Sequence, residues 1–206
     1  AEEVVARALK GRPEVIVATK CGLRWRGKAA YPSLKASSVR QEVEDSRSRL
    51  GRDVIDLYQI HWPNPDRDVE EGWTAVAELV EQGKVRFAGV SNFNVEQMRR
   101  AQAIHPITSL QPPYSMIHRE VEREILPFCA EHGIGVVAYS PMQCGLLTGA
   151  FNAERLAALD AGDWRRKDRC FKEPVFGKTM ELVDRLAPLA RQWGRSMAQL
   201  AVAAAE

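Results

Sequence analysis

The chain has no apolar run near the roughly 20 residues that a membrane-spanning helix requires. A membrane partner is therefore not expected, and neither is a signal peptide. It has no CxxC pair and no metal-ligand spacing. Its four cysteines, Cys21, Cys129, Cys144 and Cys170, are widely scattered, as in a cytoplasmic protein with reduced thiols, and no metal is expected. No basic stripe alternates with aromatics, which argues against nucleic acid as a partner. Net charge is also small, since 29 basic and 27 acidic residues leave a formal +2. Low-complexity linkers and internal repeats are missing, so residues 1–206 read as a single domain.

What is present is a recurrence of strand followed by helix. The 206 residues, 45% hydrophobic and 27% charged, suffice for one sizeable core. Short apolar runs rich in β-branched residues occur at Glu14–Lys20, Asp53–His61, Lys84–Ser91, Ile107–Gln111 and Ile134–Ser140. Helical patterns separate them. Val39, Val43 and Leu50 form one apolar stripe, with Ser37 or Ser38 as N-cap and Gly51 as stop. Trp73, Val76, Ala77 and Val80 form a second stripe over Val69–Gln82, and Asn94 caps a third helix. A fourth helix is predicted from Arg119 to Gly133, and two more from Thr179 to Trp193 and from Ser196 onward. Strands about 25 to 40 residues apart need crossover helices, and hence a parallel sheet. The fold class is α/β, a (β/α)8 barrel of which about five consecutive strands are present. A complete barrel typically takes about 250 residues.

The strands end in polar residues: Lys20, His61, Ser91 with Asn92, Gln111, and Tyr139 with Ser140. In barrels and open α/β sheets, C-terminal strand ends face one mouth, where ligands bind. Period-two alternation puts Leu57, Gln59 and His61 on one face, with Tyr58 and Ile60 toward the helices. Lys20 shares a face with Ile16 and Ala18. A lysine in so apolar a run is costly to bury unpaired, which favours a function over a snorkelling strand end. His61 is either part of a site or a hydrogen-bonded core histidine. Ser91-Asn92 is either a binding pair or an N-cap competing with Asn94. Gln111 is a ligand or a plain strand end, Tyr139 a stacking or a packing residue, and Trp62 a pocket wall or a rim cover.

IDLYQIHWP (Ile55–Pro63), AGVSNF (Ala88–Phe93), the glutamine of LQPPYS and the run AYSPMQCGLLTG occur in this order and spacing. Together with ATK at the first strand, they resemble the aldo-keto reductase superfamily, in particular its bacterial reductases and the related potassium-channel β-subunits. The resemblance implies hydride transfer from NADPH to a small-molecule aldehyde or ketone, with a tyrosine as general acid. It implies that Lys20 lowers that tyrosine's pKa and that His61 orients the carbonyl, making these two the catalytic residues. Ser91, Asn92 and Gln111 match positions that bind the nicotinamide carboxamide, and Tyr139 matches the stacking aromatic. Ser140, Met142, Gly145 and Leu146 match the loop along the pyrophosphate. Trp62 and Trp25 are read as walls of the substrate pocket.

The family's catalytic set also includes an aspartate and a tyrosine upstream of the ATK strand, in a motif like DTAxxYG. This chain starts 19 residues before Lys20, and none of its four tyrosines is a match. The expectation is a barrel truncated at both ends, its first two and last strands missing, and inactive alone. The alternative from another class is a non-catalytic protein on the same barrel that binds the cofactor as a regulator or scaffold.

Overall fold

A computed structural model describes residues 1–27 and 29–205. The chain folds as two compact units, Ala1–Pro112 with Glu122–Val137, and Pro113–Val121 with Ala138–Glu206.

The first unit opens with helix α1 (Glu2–Ala8) and strand β1 (Ala18–Cys21), then strands β2 (Leu23–Arg26) and β3 (Ala29–Pro32). Helix α2 (Ala36–Leu50), β4 (Ile55–Ile60), α3 (Val69–Glu81), β5 (Val85–Ser91), α4 (Val95–Gln102) and β6 (Ser109–Gln111) follow. Helix α5 (Ile125–Glu131) and β7 (Gly135–Val136) complete it. One five-stranded sheet runs in the order β1-β4-β5-β6-β7, every pair parallel. This is the arrangement that successive strand–helix units of an α/β barrel require.

The core lies where the helix stripes meet the sheet. Val39, Val43 and Leu50 of α2, Trp73, Val76 and Leu79 of α3, and Met98 and Ala101 of α4 are buried with Tyr58, Ile60, Ala88, Val90 and Leu110. Trp73 keeps its indole N–H satisfied by the His105 carbonyl at 3.1 Å. At the start of the strands, the Asp56 carboxylate accepts the Val17 N–H at 2.9 Å and pairs with Arg86 at 2.8 Å. Burial opposes its ionisation, but these two donors hold its carboxyl below the ordinary aspartate range.

Several local expectations needed correction. The first strand begins at Ala18 rather than Glu14, because the Asp56 side chain takes the Val17 N–H. Helix α2 starts at Ala36, with Lys35 at the N-cap. Neither Ser37 nor Ser38 caps it: Glu71 of α3 accepts the Ala36 N–H at 2.9 Å, and Ser38 donates to Glu42 instead. The predicted helix from Arg119 shortens to Ile125–Glu131, since Pro127 has no N–H and is tolerated only in a first turn. The last strand shortens to Gly135–Val136, where Pro112 and Pro113 follow the facing strand and offer no N–H. The stretch from Leu23 to Pro32, to which no strand was assigned, is an antiparallel hairpin. Asn94 does cap α4, in a capping box with Gln97, and Gly51 ends α2 with a left-handed φ of 63°.

The second unit carries helices α6 (Ala153–Ala157), α7 (Val175–Gln192) and α8 (Met197–Ala203). Leu147 packs with Val183, Ala190, Met197 and Ala201, and Leu146 packs with Phe151, Phe171 and Phe176. Among the described residues no helix is long and apolar enough to cross a membrane.

Two substitutions probe the sheet. A Cβ on Gly89 would lie 2.5 Å from Ser109 Oγ and 3.0 Å from Gln59 Cγ. Gly89→Ala is expected to lower unfolding free energy by about 1–3 kcal/mol, and an unchanged urea midpoint would refute the close approach. Tyr58 is fully buried, and among the described residues its hydroxyl has no hydrogen bond of ordinary geometry, with only the weakly bonding Cys21 thiol beside it. Tyr58→Phe should therefore leave stability within about 0.5 kcal/mol or raise it; a clear fall in melting temperature would reveal a partner.

Candidate functional site

The parallel register assembles the strand-end residues of the first unit. Lys20 lies opposite Gln59, Gln59 opposite Gly89, and Gly89 opposite Ser109. Gln59 donates to Ser109 Oγ at 3.4 Å across the bare Gly89 backbone. Toward the C-terminal ends come His61, Ser91 and Gln111, with Ser91 opposite Gln111. The His61 N–H bonds to the Cys21 carbonyl at 2.9 Å, which sets the histidine beside the end of β1.

Lys20 and His61 both line a cavity of about 870 Å³, together with Trp25, Arg24, Glu42 and Glu2. Both are half-buried. Burial pushes the Lys20 ammonium pKa down, and burial with the Lys20 charge pushes His61 below the usual imidazole value. The Lys20 ammonium makes no ion pair or hydrogen bond among the described residues. Trp62 stacks on His61, with ring centroids 6.0 Å apart and planes at 17°, but does not line the cavity. Trp25, on the hairpin, does line it and is 69% exposed.

Ser91, Asn92 and Gln111 join three strand ends. Asn92 Nδ2 donates to the His61 carbonyl at 3.0 Å and to Ser91 Oγ at 3.0 Å. Ser91 Oγ donates to the Gln111 carbonyl at 2.7 Å, which also accepts the Asn92 N–H at 3.2 Å. Asn92 sits at a left-handed φ of 62°, a conformation that asparagine tolerates better than most residues. The pair is thus no helix cap. Ser91 is buried and spends its hydrogen on the backbone, whereas the Gln111 side-chain amide has no partner among the described residues.

In the second unit, Tyr139 bridges Pro113 and leads into a tightly wound segment. Ser140, Gln143 and Cys144 have φ of 59°, 44° and 55°, and Gly145 has 105°. Non-glycine residues held so cost roughly 1–3 kcal/mol each, and such clusters accompany ligand-binding sites. Cross-links hold the turn: Gln143 N–H to the Ser140 carbonyl at 2.8 Å and Gly145 N–H to the Met142 carbonyl at 3.1 Å. The Met142 side chain is exposed and that of Leu146 is fully buried, so Leu146 could meet a ligand only through its backbone.

Sequence reasoning missed Glu42 and Arg24 in the cavity wall. Glu42 stands three residues after Val39 on a buried helix stripe, and an acid at such a position was a signal. Among the described residues no group of three or more His, Cys, Asp and Glu side chains could hold a metal ion. The electrostatic link between the two cavity bases is testable by NMR titration. In Lys20→Met the His61 pKa should rise toward the ordinary imidazole value; an unmoved titration would show that the two groups do not sense each other.

The aldo/keto reductase family model matches residues 1–204. The aldo-keto reductase YhdN of Bacillus subtilis is 38% identical over 205 residues, 98% of this chain and 61% of that protein. The NADH-specific methylglyoxal reductase of Escherichia coli is 32% identical over 217 residues, 98% of this chain and 65% of that one. A solved glycerol dehydrogenase from Gluconobacter oxydans superposes with a TM-score of 0.91 at 37% identity, covering 98% of this chain and 63% of the other. The chain thus spans somewhat under two thirds of the length of these relatives, and its parallel sheet corresponds to part of their α/β barrel. With strand order and sequence agreeing over nearly its whole length, the chain belongs to the aldo/keto reductase family of oxidoreductases.

Proposed function

We propose that a protein carrying this chain transfers a hydride from NADPH to the carbonyl carbon of an aldehyde or ketone, and catalyses the reverse alcohol oxidation. The observation that carries this reading is the pair of half-buried bases, Lys20 and His61, facing one cavity from neighbouring strand ends. When bound, the nicotinamide cofactor would supply the hydride. The residues fit it: the unpartnered Gln111 amide offers both a donor and an acceptor, complementary to a carboxamide. Ser91 would hold Asn92 in its left-handed conformation beside it. The turn from Tyr139 through Ser140, Met142, Gly145 and Leu146 is assigned to the cofactor as well, because left-handed residues aim successive backbone N–H groups as anion-binding nests do.

The protein groups then act on the proton and the carbonyl. His61, with its lowered pKa, is neutral near pH 7 and donates one imidazole N–H to the carbonyl oxygen, fixing its orientation. The Lys20 ammonium favours the phenolate of an adjacent tyrosine and so makes that tyrosine a better acid near neutral pH. Tyr58 is sealed in the core and is not that acid. No segment of the 206 residues matches the family's DTAxxYG-like motif, so the isolated chain is expected to bind cofactor without reducing carbonyls. Trp25 is assigned to the wall of the substrate pocket and Trp62, stacked on His61, to its rim, and residues 1–206 to one reductase domain.

Thermal melting with cofactor tests the assignment. At a hundredfold excess over Kd, NADPH should stabilise the chain by about 2.7 kcal/mol, more than equimolar NADH, and Gln111→Ala should remove most of that shift. No shift with either nucleotide would overturn the cofactor site, and a larger shift with NADH would reverse the preference. Turnover of an aldehyde by the 206 residues would place the proton donor within them.

A further inference from the structure

Behind the Lys20 strand lies a carboxylate that the proposed chemistry does not use. Glu42 projects from α2 and is 8% exposed. Its Oε2 accepts the Gly22 N–H at 2.9 Å, its Oε1 accepts the Ser38 hydroxyl at 2.9 Å, and the Leu23 N–H lies near enough to favour its charge. Those two amides belong to the turn that leads from β1 into the β2–β3 hairpin. Gly22 sits at φ 91°, and a Cβ there would come within 3.0 Å of Leu34 Cδ2. Only backbone can make this turn. On its other side the Gly22 carbonyl accepts the Ser33 N–H at 3.1 Å, closing the base of the hairpin.

The hairpin beyond that base has little else to fix its direction. Trp25, Arg26, Ala29, Tyr31 and Pro32 are all exposed, and an isolated two-stranded ribbon is marginal in water. Its orientation is therefore set where it is anchored, at Gly22. Burial raises the Glu42 pKa, against which Ser38, the two amides and the Arg24 charge favour the carboxylate. Retaining an acid at so costly a place is explained by the contacts it makes.

We propose that Glu42 is a positioning residue: through the Gly22 amide it fixes the end of the Lys20 strand and aims the hairpin that brings Trp25 to the cavity wall. The functional part of this inference rests on the reading of that cavity as the carbonyl site; the anchoring does not.

Hydrogen exchange of the 206-residue chain without cofactor separates the two. In Glu42→Ala, the Gly22 amide should exchange at least tenfold faster, while the amides of β4 keep their protection. Glu42→Gln, which still offers an acceptor oxygen, should recover most of the loss. Equal acceleration in β4 would show that Glu42 merely stabilises the fold, and unchanged Gly22 exchange would show that it anchors nothing; either overturns the proposal. Should Glu42→Ala not fold, Glu42→Asp shortens the reach by one methylene and should give the same local, partial loss. Since the readout needs neither NADPH nor turnover, failure of the reductase reading would leave it intact, and its own failure would leave the reductase reading intact.

Discussion

One row of the parallel sheet governs the rest. Lys20, Gln59, Gly89 and Ser109 lie side by side, and the glycine lets the Gln59 side chain reach Ser109 over the intervening strand. Because side chains alternate strictly along a strand, a slip of one residue would turn the whole set of strand-end groups to the opposite face. This row therefore fixes more than packing. With it in place, the next inward positions are His61, Ser91 and Gln111, and the strand ends deliver an imidazole, a hydroxyl and an amide together.

The cavity wall carries acids, Glu2 and Glu42 among them, yet among the described residues none pairs with the Lys20 ammonium. Burial disfavours the charge on both Lys20 and His61, and the Lys20 ammonium further disfavours protonation of His61. Folding thus makes His61 give up its proton more readily than in the unfolded chain. Below pH about 6.5 the unfolded chain binds more protons at this residue, and acid weakens the fold through it. A protein selected for stability alone would place an acid beside Lys20 or an apolar residue in its stead. Disfavoured charge kept at a strand end is the electrostatic mark on which the proposed role of these two residues rests.

Much of this was legible in the residues. The apolar runs at Leu57 and Phe87, the stripe of α3 and the Asn94 cap rest on local chemistry, and the alternation that put His61 with Gln59 followed directly from strand geometry. What was illegible depended on contacts far along the chain. The start of β1 was set by Asp56, 39 residues away from Val17, and the cap of α2 by Glu71, 35 residues away from Ala36. The hairpin escaped notice because the alternation of Leu23, Arg24, Trp25 and Arg26 lasts only four residues and the facing Ala29–Pro32 does not alternate. Ser91-Asn92 was ambiguous for a related reason: cap and cross-strand tie use the same side-chain chemistry, and only the neighbouring strand decides between them.

The Asp56 clamp and the polar strand ends occupy opposite ends of the same strands. The clamp holds β1 and Arg86 at the entry of the sheet, while Lys20, His61 and Gln111 stand at its exit. The hairpin and the exit residues can therefore be substituted while the clamp stays unaltered. What starts the strand and what ends it are separate letters of one short word, six residues from Asp56 to His61.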